Sequence, residues 1–307
     1  MRACGGVPGR LLAAALLTGM ISACELRDVT TAAPVDMVIA EVVLLADQSV
    51  QRAFLHRTFG PRGQTVPGAR VEVHTEDGRI MRFAATTMAG VCTVPGGPRE
   101  GTCYVSVDST AFTVEPGARY RLEIELADGG RMHATTLVPG SFDVLLPTPG
   151  PRTCSLPPET LMELRWTRSP GAWVYAVEAD FGASLAQALP ALNPPIPFRT
   201  VGLSVGGADT TLVFPAELGV FDRFDDDAAA TLAALQGGLP RGAAAEVVVA
   251  AAEPNYVNWV RGGTFNPSGT VRVASVSGDG TGVFGALVRR SFRVVGGGEG
   301  TFRSCFR

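Results

Sequence analysis

Between Arg119 and Leu126 charged and apolar residues alternate without interruption, Tyr120, Leu122, Ile124 and Leu126 on one side, Arg119, Arg121, Glu123 and Glu125 on the other. Successive side chains of an extended backbone point to opposite faces. A period of two therefore marks a strand with one face in a core and the other in water, and it cannot form the apolar stripe of a helix. Ala69 to Thr75 repeats the pattern, with Val71 and Val73 set against Arg70, Glu72 and His74. Asp77-Gly78 and Asp128-Gly129 stand between successive strand-like runs, where a residue able to adopt positive φ closes a tight hairpin. Short strands punctuated in this way predict an antiparallel β-sandwich over residues 36–140.

Six prolines follow between Val138 and Thr160, and they favour extended backbone over a packed element, so 141–159 reads as a linker. Strand patterns resume in the region 160–307, at Leu161–Trp166, with Met162, Leu164 and Trp166 inward, and at Ala172–Phe181. Ala245–Ala252, Thr270–Val276, Gly282–Val288 and Ser291–Val295 continue the series, with Ser277–Thr281 as a hairpin turn. Ser184–Leu189 and Asp225–Gln236 have helical composition, the second headed by aspartates suited to capping. The fold class expected is mostly β: two β-sandwich domains, immunoglobulin-like then fibronectin-like, the second carrying short helical insertions.

The N-terminus predicts an address. Arg2 and Arg10 accompany a run from Leu11 to Ile21 that is too short for a bilayer, which needs about 20 apolar residues, and that reads as a signal peptide. Ile21, Ser22, Ala23 and Cys24 resemble the lipobox of bacterial lipoproteins. That resemblance implies removal of 1–23, lipid on Cys24, a tether over 24–35, and a membrane partner reached through the acyl chains.

Composition narrows the chemistry. The chain of 307 residues has a net charge of −3, without the basic footprint of a nucleic-acid binder. It contains no lysine, which excludes Schiff-base catalysis, a P-loop and a Ser-Lys dyad. Beyond the signal and Cys24, four cysteines remain, an even number suited to an oxidising compartment. Of three connectivities, Cys92–Cys103 within the first domain and Cys154–Cys305 within the second are expected, because each pair then closes its own domain.

Val66-Pro67-Gly68-Ala69-Arg70-Val71-Glu72-Val73 and Gly117-Ala118-Arg119-Tyr120-Arg121-Leu122 resemble the carboxypeptidase-regulatory-like and immunoglobulin-like modules of secreted bacterial proteins. Taken with the lipobox and with Val276-Ser277-Gly278-Asp279-Gly280-Thr281-Gly282-Val283-Phe284-Gly285, the layout is similar to a family of uncharacterised outer-membrane lipoproteins. The resemblance implies outer-membrane anchoring, on the periplasmic or the surface face. It also implies the company of a TonB-dependent receptor or another envelope protein, and it brings no catalytic residues.

No site stands out from spacing. His56, His74 and His133 form no His-x-His or His-Glu-x-x-His, so no metal ligands and no cofactor are expected. Asp222, Asp225, Asp226 and Asp227 offer oxygens to calcium but lack the order of a calcium loop, and read as a helix start. Asn255 to Phe265 holds Tyr256, Trp259 and Arg261, residue types that dominate interfaces; the other reading is a short helix with its apolar side on the sheet. The function expected is a non-enzymatic accessory lipoprotein, a binding or assembly module. The alternative is a hydrolase of envelope or other polymers using carboxylates of the second domain.

Overall fold

The computed structural model describes residues 36–58, 64–87, 92, 100–148, 152–219, 226–261, 273–298 and 301–306. The signal peptide, Cys24 and the tether lie outside these. Seven strands occupy the first half: β1 (Val38–Leu45), β2 (Arg52–Arg57), β3 (Arg70–Thr75), β4 (Ile80–Thr86), β5 (Thr102–Ser106), β6 (Arg119–Glu125) and β7 (Arg131–Leu137). The period-two reading holds. Tyr120, Leu122 and Ile124 of β6 are buried, as are Val71 and Val73 of β3, and register sets Val71 opposite Ile124 and Val73 opposite Leu122.

Both Asp-Gly turns close hairpins, β3 to β4 and β6 to β7. Their construction is the same. The glycine N–H donates to the carbonyl three residues back, Gly78 to Thr75 and Gly129 to Leu126, and the glycine then takes φ of +87° or +89°. A turn of this kind ending in a left-handed glycine is the three-residue hairpin loop.

The second half adds β8 (Val144–Leu146), β9 (Thr153–Leu156), β10 (Met162–Trp166), β11 (Val174–Asp180), β12 (Arg199–Leu203), β13 (Thr211–Phe214), β14 (Ala244–Ala252), β15 (Ser277–Gly278) and β16 (Gly280–Gly296). Among the described residues three α-helices, α1 (Ser184–Ala188), α2 (Asp226–Gln236) and α3 (Pro254–Arg261), interrupt them. The first two match the helical segments expected. The protein is mostly β, with a large sheet in the order β12-β11-β14-β16-β1-β2-β5-β4-β3-β6-β7-β15 and a three-stranded sheet β13-β10-β8. In the smaller sheet Met162, Leu164 and Trp166 face inward as their alternation predicted, and Trp166 packs on Tyr175 of β11 at 5.3 Å between ring centroids.

The boundary expected at 141–159 does not separate two compact units, because residues from Asp36 onward pack as one. The cause is β16. Its 17 residues merge the two strands expected at Gly282–Val288 and Ser291–Val295. Its first part pairs in parallel with β1, from Val38 opposite Gly280 to Leu45 opposite Leu287. The remainder pairs with β14 antiparallel, and its end lies along β9. One strand thus completes both halves, and Val283, Phe284, Ala286 and Val288 are buried in the near-continuous manner of a strand covered on both faces. The parallel contact is close at Gly282, where φ is +140° and any Cβ would lie 2.0 Å from the carbonyl oxygen of Ala40.

Two further expectations change. The proline-rich stretch is extended but packed: β8 and β9 lie within it, and Leu156 and Cys154 are buried. The chain does turn back across Ser277–Thr281, where the N–H of Ser275 donates to the Gly282 carbonyl at 2.9 Å, but the turn itself carries β15, which pairs with β7, Ser277 opposite His133. Residues 273–276, the described part of the strand expected at Thr270–Val276, hold no strand.

Candidate functional site

Because β3, β6 and β7 turn their apolar residues into the core, their other face gathers polar groups from three strands. Register lines up Arg82 of β4, Glu72 of β3, Glu123 of β6 and His133 of β7 in one row. Two glutamates directly opposite each other on a sheet repel. Here each turns one oxygen away to an arginine: Arg82 Nε donates to Glu72 Oε1 at 3.1 Å, and an Arg121 guanidinium nitrogen lies 3.1 Å from Glu123 Oε1. The remaining oxygens face His74, whose Nε2 stands 3.6 Å from Glu72 Oε2 and 3.3 Å from Glu123 Oε2. That nitrogen is shut off from solvent and makes no hydrogen bond. A groove of about 450 Å³ runs over this face, with Arg70, Arg131 and His133 along its sides.

Nothing in the spacing brought the three histidines together, and the neighbours of His74 Nε2 are two carboxylates. Glu72-x-His74 was legible as a same-face pair on one strand, but Glu123 joins only through register with a strand about fifty residues later.

The other candidates distribute differently. Trp259 is only 7% exposed on α3, which removes it from the expected binding surface, and Val257 of the same helix is buried against Val174 and Ala252. Tyr256 packs partly buried on that cluster, and burial pushes its hydroxyl pKa up. The side chain of Arg261 lies outside the described residues, as do Asp222, Asp225 and the side chains of Asp226 and Asp227. Carboxylates of the second half are engaged one by one. Asp180 binds Arg199 at 2.8 Å, Glu246 binds Arg293 at 3.1 Å, and Glu217 accepts the N–H of Val213 at 2.7 Å. The facing pair that the hydrolase alternative needs is thus not found among these three.

Glu253 is buried and caps α3. Its Oε2 accepts the N–H of Asn255 at 2.7 Å, while Oε1 accepts those of Tyr256 at 2.7 Å and Ala286 at 3.3 Å. The first two are orphan donors of the helix end; the third ties the helix to β16. Burial raises this carboxyl's pKa above its ordinary 4.5, outweighing the backbone donors that lower it. Its contribution to stability is therefore greatest below 4.5 and is lost as pH rises through the folded-state value. Glu253→Gln is expected to cost about 1–2 kcal/mol, since an amide presents only one acceptor oxygen to these donors. The natural protein's advantage over the variant should shrink as pH rises above 4.5 in urea melts. An advantage that grew toward neutrality would mean that the backbone donors outweigh burial.

Both disulfides pair as expected, Cys92 with Cys103 and Cys154 with Cys305. Among the described residues no helix is long and apolar enough to cross a membrane.

No known family profile matches the chain, and no curated protein matches it in sequence. Among solved structures, a DUF4785 family protein of Legionella pneumophila is 8% identical with a TM-score of 0.21, over 69% of this chain and 51% of that one. The chain thus spans about half the length of that protein. The fibronectin(III)-like modules of Clostridium thermocellum CbhA are 12% identical with a TM-score of 0.18, over 82% of this chain and 93% of theirs. Likeness at these scores carries neither a shared fold nor a function.

Proposed function

We propose that the protein is a non-enzymatic accessory lipoprotein of the cell envelope, held on the outer membrane by lipid on Cys24 and acting as a binding or assembly module. The observation that carries this reading is the pair of disulfides in a chain that opens with Ile21-Ser22-Ala23-Cys24, since both features belong to exported proteins. The resemblance to outer-membrane lipoproteins that accompany TonB-dependent receptors supports the same compartment and names the kind of partner to look for. Several acyl chains on one residue would hold the protein firmly, because each buried methylene contributes about 0.8 kcal/mol.

Mass spectrometry of the mature N-terminus is the test. Cleavage before Cys24 with two or three acyl chains is the expected result, and Cys24→Ala should move the protein from the membrane fraction to the soluble fraction. A Cys24→Ala protein that stayed with the membrane would overturn the reading. Co-purification of the lipidated protein with an outer-membrane receptor, lost when the exposed face of β3, β6 and β7 is altered, would then identify the partner surface.

A further inference from the structure

We infer that Glu72, His74 and Glu123 form a binding site for a transition-metal dication of the zinc class. Their candidate ligand atoms, one imidazole nitrogen and two carboxylate oxygens, all lie within 4.8 Å of one another. The separations from His74 Nε2, 3.3 and 3.6 Å, are informative. Ligand atoms bonded to a tetrahedral ion at about 2.0–2.2 Å stand roughly 3.3–3.6 Å apart, and each carboxylate oxygen stands at that spacing from the imidazole nitrogen.

Two features distinguish the arrangement from an ordinary surface ion pair. The first is His74 Nε2 itself, sealed from solvent and without a hydrogen bond although two carboxylate oxygens are near. The second is the division of labour on each glutamate. Arg82 holds Oε1 of Glu72 and Arg121 lies on Oε1 of Glu123, while both Oε2 atoms are left toward the imidazole. Outer groups that fix the free oxygen of a one-oxygen carboxylate ligand are the usual support of a metal site. The backbone adds rigidity, because Glu72 and His74 are two apart on β3 and Glu123 faces Glu72 across the ladder. Three protein ligands leave a fourth position for water or for a group of a partner, and both glutamates also line the groove on this face.

The nitrogen donor selects the class of ion. Calcium and magnesium favour all-oxygen shells, whereas imidazole with carboxylates suits zinc and its neighbours. The site does not depend on the lipid anchor, so its failure and that of the proposed function are separable.

The test is equilibrium dialysis of the tag-free, full-length protein in detergent against ZnCl2 at neutral pH, with CaCl2 as competitor. About one zinc per chain is expected, unaffected by equal calcium, together with a rise in melting temperature on adding zinc. His74→Gln and Glu123→Gln should each weaken binding by at least about tenfold. Glu123 is partly exposed and its replacement leaves the core untouched, so that variant tests the site even if His74→Gln folds poorly. Absence of zinc binding, displacement by equal calcium, or binding that survives Glu123→Gln but not His133→Gln would each overturn the inference.

Discussion

Replacing Cys154 and Cys305 together with alanine is expected to lower stability by up to about 5 kcal/mol. The two residues are 151 apart in sequence, and the entropy that a cross-link removes from the unfolded chain grows with the logarithm of that separation. By the same relation the Cys92–Cys103 link, with a separation of 11, is worth about 3 kcal/mol. Native contacts add to the difference. Cys154 lies on β9, which runs along the end of β16, and Cys305 sits on a tail whose Arg303 carbonyl accepts the N–H of Ser155 while its own N–H donates to the Ser155 carbonyl. Both cysteines are buried. Without the link, the tail and β9 would be held to β16 by backbone hydrogen bonds and modest apolar burial alone. Natural domains are stable by only about 5–15 kcal/mol, so the link accounts for a third or more of such a stability and its loss should show as a large fall in the melting midpoint. Guanidinium melts of Cys154→Ala/Cys305→Ala and Cys92→Ala/Cys103→Ala measure the order directly. A larger loss from the second pair would show that loop entropy is not what these links supply.

Trp259→Ala should cost about 3–5 kcal/mol, seen as a drop in the thermal midpoint. An exposed aromatic would lose a partner on truncation and leave the melt unchanged. At 7% exposure Trp259 instead leaves a cavity at α3. The loss should spread, because α3 is pinned at its start by Glu253 and rests on β16, the strand that serves both halves. Trp259→Phe, which keeps most of the volume, should recover more than half of the stability. An unchanged midpoint in Trp259→Ala would return this residue to the list of contacts for a partner.

The strands that could be read from sequence are those with one wet face. Arg119–Leu126, Ala69–Thr75 and Leu161–Trp166 announce themselves because alternation records two environments on a single element, and the Asp-Gly turns mark where such elements fold back. The cysteine pairing followed from count and position. For Asn255–Phe265 the helical spacing of Tyr256, Trp259 and Val260 already offered the reading of a short helix, and the structure has that helix with Trp259 buried, Tyr256 and Val260 half-buried, and Val257, outside that set, buried as well.

What could not be read is what depends on residues far apart in the chain. A strand covered on both faces has no alternation to display, so β16 looked like two pieces, and nothing in Gly280–Leu287 names Val38–Leu45 as its parallel neighbour. That pairing joins the strands from Asp36 onward into one compact unit. The candidate metal site follows the same rule. Residue types and strand faces put Glu72 beside His74 and leave Glu123 on a polar face; only the register between β3 and β6 sets that carboxylate against the imidazole. Local alternation is set by the chain's own geometry and by water, so the sequence alone determined which faces are wet and where the hairpins turn. Register and long-range pairing are set by how whole faces fit together, and only the tertiary structure could decide them.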